Sequence, residues 1–182
     1  MSTLTATGAV VLEPVDRCPL CDTPGLRPYG VAPGDGWTLH ARQSRCRGCG
    51  VLVSNPRVSE HDRDRYYQQR YYEEQRPDAE RVVAENLAVF AAHDVSLVEQ
   101  LGGRHLRRGG RALDAGAGYG AMVETLGQRG FRATGCEMSW RGCTFAKQHG
   151  LSVARAKSPG VPFKDGAFDL VMSGHVIEHV GD

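Results

Sequence analysis

The sequence predicts an α/β protein, in which a parallel sheet covered by helices is preceded by a small cysteine-rich module and a helical connector. Three observations lead to this prediction. From Arg111 onward, short apolar runs alternate with glycine-rich turns and helical stretches, which indicates strand–helix–strand units. Two Cys-x-x-Cys pairs lie near the N-terminus among Gly and Pro residues. Between these regions, long polar side chains are interleaved with tyrosines and aliphatic residues, which favours helices.

The chain divides into four predicted segments. Residues 1–16 are small, polar and β-branched without a clear period, and we expect a flexible lead-in. Residues 17–57 hold the two cysteine pairs and are predicted to form short strands and tight loops. Residues 58–110 are predicted to be the helical connector, with Pro77 in the first turn of its second helix. Residues 111–182 are predicted to form the sheet, with strands at 112–113, 131–136, 151–154 and 168–172 and helices at 121–129 and 140–149.

Charge and hydropathy exclude several classes of protein. The chain has 22 Lys+Arg against 21 Asp+Glu, so it lacks the basic excess of a polybasic nucleic-acid or membrane-surface binder. No run approaches the roughly 18 apolar residues of a membrane span. The N-terminus also lacks the basic flank and apolar core of a signal peptide. We therefore expect a cytoplasmic protein that has no membrane partner.

Cys18, Cys21, Cys46 and Cys49 form two Cys-x-x-Cys pairs. Two residues between thiols allow a tight turn to place both sulfurs on one metal, and two such pairs complete a tetrahedral zinc site. Because four thiolates leave no open position, this zinc is predicted to be structural and to fold a segment too small for its own core. Disulfides are disfavoured because cytosolic thiols stay reduced, and a thioredoxin-like redox site needs only one pair.

A glycine-rich loop follows the first predicted strand and precedes a helix, with glycines at Gly116, Gly118 and Gly120. Such a loop lets a ligand approach the backbone at a helix N-terminus. Asp114, two residues before the first glycine, would repel the pyrophosphate of a nicotinamide cofactor but suits a ligand with an ammonium and a sulfonium. Glu137, at the end of the next strand, would accept the ribose hydroxyls of an adenosyl group, a role that serves both cofactor classes.

In combination, these residues resemble the class I S-adenosylmethionine-dependent methyltransferases, which are Rossmann-like enzymes. The resemblance rests on the loop at 113–120, on Glu137, and on residues 161–171 followed by 176–180. It implies a sheet of seven strands, of which this chain supplies the first four. We therefore expect a fragment, a truncated reading frame or a protein completed by a partner. The N-terminal half is similar to the zinc-ribbon module found ahead of such domains in bacterial methyltransferases.

The resemblance implies a role for each matching residue. Asp114 and Gly116 would contact the methionine moiety, and Met138 would lie beside the adenine. Where relatives often carry an acidic residue for the adenine amino group, this chain has Lys157, so the backbone amide of Ser158 would serve the ring instead. The implied cofactor contacts are Asp114, Gly116, Gly118, Gly120, Glu137, Met138, Ser158 and Ser173.

His175 and His179 follow the fourth predicted strand, at the edge where open α/β sheets bind ligands. Both are candidates for a general base because imidazole titrates near neutral pH. Alternatively, His179 packs against or caps the helix that follows. Two interpretations are also open for the tyrosines between residues 66 and 72: a lid over the cofactor, or packing along an amphipathic helix.

The sequence thus predicts an enzyme that moves the methyl group of S-adenosylmethionine to a small molecule, such as a sugar or a natural-product intermediate. Catalysis would come chiefly from holding donor and acceptor in line. Three alternatives stay open: an NAD-linked oxidoreductase, an rRNA methyltransferase, and a non-catalytic zinc-ribbon interaction module attached to a degenerate cofactor domain. The near-neutral charge disfavours a nucleic-acid acceptor.

Overall fold

The part of the chain that the structure describes separates into two units. The computed structural model describes residues 2–5, 8–31, 42–89, 93, 96, 100, 109–157 and 160–180. The first unit runs to Arg65 and the second begins at Tyr66. None of the helices within these ranges combines the length and the apolar character needed to cross a membrane.

The first unit contains two antiparallel sheets of three strands each. One sheet has the order β1-β2-β6 and consists of β1 (Ser2–Thr5), β2 (Gly8–Glu13) and β6 (Arg57–Val58). The other has the order β3-β4-β5 and consists of β3 (Arg27–Val31), β4 (Arg42–Arg45) and β5 (Leu52–Ser54).

The first sheet differs from the flexible lead-in predicted for residues 1–16. Strand β1 pairs with β2, and β2 pairs in turn with β6, so backbone groups of these two strands find partners. The Asp62 carboxylate adds a further contact, since it accepts a hydrogen bond from the Val11 N–H at 2.8 Å. The Thr and Val residues of the segment have high β-propensity, but their pairing with β6 depends on residues far along the chain.

Three helices lie in residues 60–89, the continuously described part of the connector: α1 (Glu60–Gln69), α2 (Tyr71–Glu74) and α3 (Ala79–Val89). Pro77 lies two residues before α3 and not in the first turn of the second helix, because the chain breaks between α1 and α2 and creates an additional short helix. The N-terminus of α3 is capped by Asp78, whose Oδ1 accepts a hydrogen bond from the Arg81 N–H at 3.0 Å.

The second unit contains a four-stranded sheet in which every pair of neighbouring strands is parallel. Its elements are β7 (Arg111–Ala115), α4 (Ala121–Gln128), β8 (Arg132–Glu137), α5 (Trp140–Gln148), β9 (Val153–Arg155), β10 (Leu170–Met172) and a 3₁₀ helix (Ile177–His179). The strand order is β10-β7-β8-β9, which is the first-half order of doubly wound Rossmann sheets. The predicted α/β fold is confirmed.

Apolar side chains pack on both faces of this sheet. On one face, Ala112 packs with Met122 and Leu126 of α4. A second cluster contains Leu113, Ala115 and Cys136, together with aromatic and aliphatic residues of the segment between β9 and β10. Strands β8 and β10 lie on opposite sides of β7, so the order reverses there. Open α/β sheets bind ligands outside the carboxyl ends of the strands at such a switch point.

Candidate functional site

The four predicted metal ligands lie together in the first unit. The sulfur atoms of Cys18, Cys21, Cys46 and Cys49 all lie within 4.8 Å of one another. Two Sγ–Sγ distances are 3.7 Å (Cys18 to Cys49) and 3.6 Å (Cys21 to Cys46). Sulfurs bound at about 2.3 Å around a tetrahedral zinc are roughly 3.8 Å apart, whereas a disulfide requires about 2.05 Å. The spacing therefore fits a four-thiolate zinc site, and all four cysteines are free of disulfides.

Each cysteine pair is carried by a tight turn. In the first turn, the Asp22 N–H donates to the Cys18 carbonyl at 2.9 Å, and in the second the Gly50 N–H donates to the Cys46 carbonyl at 3.1 Å. Asp22 and Gly50 have φ angles of +55° and +80°, a left-handed conformation that lets the chain leave each turn abruptly. Cys18 and Cys46 are buried, whereas Cys21 and Cys49 are exposed.

Hydrogen bonds in these turns favour the thiolate forms of Cys21 and Cys46, and the thiolate is the form that binds a metal. Backbone N–H groups of Cys49 and Gly48 lower the pKa of Cys46, and the Gly48 nitrogen lies 3.2 Å from its sulfur. The Thr23 hydroxyl lies 3.2 Å from the Cys21 sulfur and lowers the pKa of that thiol to about 6. These residues would hold a structural zinc ion without an open position for chemistry.

The glycine loop of the second unit is tied to the end of β8. The N–H groups of Gly116 and Ala117 both donate to the Cys136 carbonyl at 2.9 Å. Gly116 and Gly118 have φ angles of +91° and +58°, which a residue with a Cβ adopts only with strain. A Cβ at Gly116 would also collide with the Val176 side chain. The loop therefore has a fixed conformation and lies against the segment that follows β10.

Two buried carboxylates lie on adjacent parallel strands. Asp114 in β7 is 5% exposed, and Glu137 at the end of β8 is 6% exposed. Burial, and secondarily the charge of Glu137, raises the pKa of Asp114 to about 7. Burial also raises the pKa of Glu137. Among the described residues, no cationic side chain offsets the charge of Asp114. A cationic ligand would stabilise this pair, whereas an anionic pyrophosphate would destabilise it.

Two backbone donors hold the Glu137 carboxylate. Its Oε1 accepts a hydrogen bond from the Ser139 N–H at 2.7 Å, and its Oε2 accepts one from the Gly118 N–H at 2.9 Å. Burial, and secondarily the charge of Glu137, raises the pKa of Tyr72 in α2. The bond to Gly118 joins the acidic residue of β8 directly to the glycine loop, so the two features predicted to bind the cofactor form one rigid surface.

His179 and His175 differ in their surroundings. The Nδ1 atom of His179 lies 3.1 Å from the Tyr67 hydroxyl, and the two rings are 5.4 Å apart. The side chain of His175 is 96% exposed, and its Nδ1 lies 3.5 Å from Glu178. His179 therefore has a defined position against the connector, whereas His175 faces solvent. The contact with Tyr67 packs the His179 ring against the connector and fixes its position.

The other predicted site residues lie around the same edge of the sheet. Met138 is half-buried directly after β8, and Ser173 is exposed directly after β10. Gly120 has a φ of +93° and precedes the first turn of α4. Ser158 lies outside the described residues. The structure thus brings the glycine loop and both carboxylates together, and it places Met138 and Ser173 at the same carboxyl edge.

Two residues of the site were not predicted from the sequence. Gly142 in α5 allows a close approach, because a Cβ there would lie 2.7 Å from the Gly118 carbonyl oxygen and 3.0 Å from the Glu137 Cγ. Ser139 is completely buried, and its hydroxyl has no hydrogen-bond partner within the described ranges. Tyr72, one of the tyrosines considered as a lid or as packing, is buried against Tyr119 of the glycine loop, with the two rings 4.9 Å apart.

Comparisons with known proteins find similarities to methyltransferases. Residues 113–182 match the family model of a methyltransferase domain. The ubiquinone biosynthesis O-methyltransferase of Paramagnetospirillum magneticum is 36% identical over 101 residues, covering 51% of this chain and 38% of that protein. The corresponding protein of Bordetella avium is 32% identical over 82 residues, covering 41% of this chain and 34% of that protein. The chain thus spans about a third of the length of these curated relatives.

A solved structure from Methanococcus maripaludis, assigned as an S-adenosyl-L-methionine-dependent methyltransferase, is 18% identical, with a TM-score of 0.48. The alignment covers 57% of this chain and 52% of that one. The family match coincides with the glycine loop, the acidic residue that ends the next strand, and the parallel sheet. Residues 113–182 are therefore similar to a methyltransferase domain.

Proposed function

We propose that the chain binds S-adenosylmethionine at the carboxyl ends of β7 and β8 and serves the transfer of its methyl group to a small molecule. The observation that carries the proposal is the pair of buried carboxylates, Asp114 and Glu137, beside a glycine loop. The Asp114 carboxylate attracts a ligand with a positive charge, and Glu137 accepts the hydroxyls of a ribose. A nicotinamide cofactor would offer Glu137 a ribose, but it would not offer Asp114 a positively charged group.

The residues around this pair would position the cofactor. Gly116, Gly118 and Gly120 let the ligand approach the backbone, with Met138 and the Ser158 amide on the side of the adenine. Ser173 would contact the cofactor from the end of β10. When bound, S-adenosylmethionine supplies a methyl group on a positively charged sulfur. The residues of the chain would hold that methyl group in line with the attacking atom of the acceptor.

The acceptor that we propose is a small molecule with a hydroxyl group. Two relatives are named ubiquinone biosynthesis O-methyltransferases, which supports an oxygen acceptor. A sugar or a natural-product intermediate meets the same description. Such a hydroxyl must lose a proton as it is methylated, and His179 is the better-placed base because Tyr67 orients its ring. His175 is the second candidate.

The proposal also assigns roles to the residues that precede the parallel sheet. Residues 17–57 would form a zinc ribbon whose metal is structural, since four thiolates complete its coordination. Residues 58–110 would form the connector that reaches the cofactor site. A cytoplasmic location belongs to the same proposal, because the thiols of the zinc site must stay reduced.

Calorimetric titration of the zinc-loaded chain tests the cofactor. We expect S-adenosylmethionine and S-adenosylhomocysteine to bind with a stoichiometry of one, and NADH to give no saturable heat. Binding of NADH in place of both adenosyl ligands would favour the oxidoreductase alternative. Absence of binding by all three would favour a non-catalytic interaction module.

A further inference from the structure

A tyrosine hydroxyl and a histidine imidazole meet at the segment that follows β10. The Tyr67 hydroxyl oxygen lies 3.1 Å from Nδ1 of His179, and the two ring centroids are 5.4 Å apart. Val176, three residues before His179, occupies the space that a Cβ on Gly116 would need. Since Gly116 would contact the methionine moiety of the cofactor, the pair lies towards the end of the site where the methyl group would be bound.

Ring packing fixes the position of Tyr67. Its ring centroid lies 5.5 Å from that of Tyr66 and 5.1 Å from that of Tyr71. Tyr67 is half-buried, and the side chain of His179 is 45% exposed. The hydroxyl–imidazole pair therefore has a defined geometry and is still accessible to a small molecule from solvent.

A carboxylate lies near the second nitrogen of this imidazole. Glu178 Oε1 is 4.0 Å from Nε2 of His179, and the same oxygen is 3.5 Å from Nδ1 of His175. A negative charge near Nε2 favours the tautomer that carries its proton there. The other nitrogen, Nδ1, is then an acceptor, and the Tyr67 hydroxyl donates to it.

We propose that the Tyr67 hydroxyl is the group that removes the acceptor's proton, with His179 as the base that activates it and Glu178 as a residue that positions the imidazole. This inference rests on the proposed function and adds a residue to it. The acceptor proton passes to the Tyr67 oxygen while the Tyr67 proton passes to Nδ1 of His179. The acceptor oxygen bonds to the methyl carbon, and the carbon–sulfur bond breaks with its electron pair left on sulfur. The order of groups is that of serine–histidine–carboxylate triads, in which an imidazole activates a hydroxyl and a carboxylate orients the imidazole.

Nitrogen NMR of the zinc-loaded chain tests the direction of the hydrogen bond without any ligand. At pH 8, where an ordinary imidazole is neutral, the spectrum distinguishes the nitrogen that carries the proton from the one that does not. Loss of the signal in His179→Gln assigns it. We expect His179 to carry its proton on Nε2, and Tyr67→Phe to give a mixture of tautomers. The matched control is Tyr71→Phe, which should leave the tautomer unchanged because the Tyr71 hydroxyl lies near Arg76 instead.

The reaction of Tyr67 with benzenesulfonyl fluoride measures its activation without an acceptor. The tyrosine oxygen bonds to the sulfur of the reagent and fluoride leaves, while the hydroxyl proton passes to a nearby base. We expect Tyr67 to react roughly 10- to 100-fold faster than Tyr29, which is 61% exposed, with both rates read by mass spectrometry. His179→Gln should remove this difference. The matched control is His149→Gln, because the His149 side chain is 46% exposed and stacks on Phe145 instead of Tyr67.

Three results would overturn the inference alone: a proton on Nδ1 of His179, a Tyr67 rate no higher than that of Tyr29, or a fast rate that survives His179→Gln. Bound S-adenosylhomocysteine should not slow the Tyr67 reaction, because the acceptor must reach this hydroxyl after the cofactor has bound. Loss of the reaction would show that the cofactor covers Tyr67, which also overturns the inference. If Tyr67 is activated but no adenosyl ligand binds, the proposed function fails, and the role of Tyr67 in methyl transfer fails with it.

Discussion

Substitution of Cys46 by serine is expected to abolish tight zinc binding and to unfold the four-thiol module. Strand β3 is exposed along its whole length, and β4 buries one of its four side chains, so this small sheet has little apolar core of its own. Binding of a structural zinc contributes about 10–16 kcal/mol in small four-ligand modules, which is more than such a sheet gains from packing. The serine hydroxyl does not replace a thiolate on zinc.

Metal analysis and circular dichroism check this prediction. The unchanged chain should hold one zinc ion, and the Cys46→Ser variant should hold substoichiometric zinc and lose its antiparallel-strand signal. The matched control is Cys143→Ser in α5, which changes a buried free thiol of the second unit and should leave the zinc content at one. Full zinc occupancy in the Cys46→Ser variant would contradict a site built from these four sulfurs.

Substitution of Asp114 by asparagine is expected to weaken binding of S-adenosylmethionine about 100-fold. The carboxylate is buried, and no cationic side chain of the described residues acts on it, so a positive ligand would be its partner. Loss of a charge-assisted contact at a buried site costs roughly 1.5–3 kcal/mol. Calorimetric titration at pH 8 measures the change. The control is Asp165→Asn, which removes an exposed carboxylate and should leave the affinity unchanged.

The same variant should gain stability at high pH, which distinguishes lost binding from misfolding. The Asp114 carboxyl has a pKa of about 7 in the folded chain against an ordinary value of 3.8, so the folded state binds its proton more tightly. Stability therefore falls as pH rises between these values, and the penalty is complete above pH 7, at most about 4 kcal/mol. We expect Asp114→Asn to melt at a higher temperature than the unchanged chain at pH 8, with this difference lost near pH 4. A lower melting temperature at both pH values would contradict the account.

Much of the second unit can be predicted from the sequence because its signals are local. Apolar runs separated by turns fix the order of strands and helices, and the strand boundaries agree with the structure to within two residues. Asp114 and Glu137 each lie near the carboxyl end of a strand, and parallel strands place such ends at one edge. The two-residue spacing within each cysteine pair likewise predicts the tight turn that brings its two sulfurs together.

The remaining features depend on contacts between distant parts of the chain. Strand β2 pairs with β6, which lies beyond the cysteine pairs in the sequence. The residues at the start of the chain show no hydrophobic period, so the sequence alone does not indicate this strand pairing. Tyr72 lies in a short helix between two longer ones, and only the folded connector brings its ring against Tyr119 of the glycine loop. The need for glycine at position 142 follows from the close approach of α5 to the glycine loop, which a sequence pattern does not show.

The most direct test of the central claim, that two buried carboxylates select a cationic adenosyl ligand, is the pH dependence of S-adenosylmethionine binding between pH 5.5 and 7.5. A positive ligand binds the ionised form of Asp114, and its pKa of about 7 makes ionisation part of the binding reaction below that pH. The account predicts that affinity falls by up to about tenfold per pH unit below pH 7, with net proton release on binding, and that Asp114→Asn removes this dependence. An affinity that is constant over this range in the unchanged chain would contradict it.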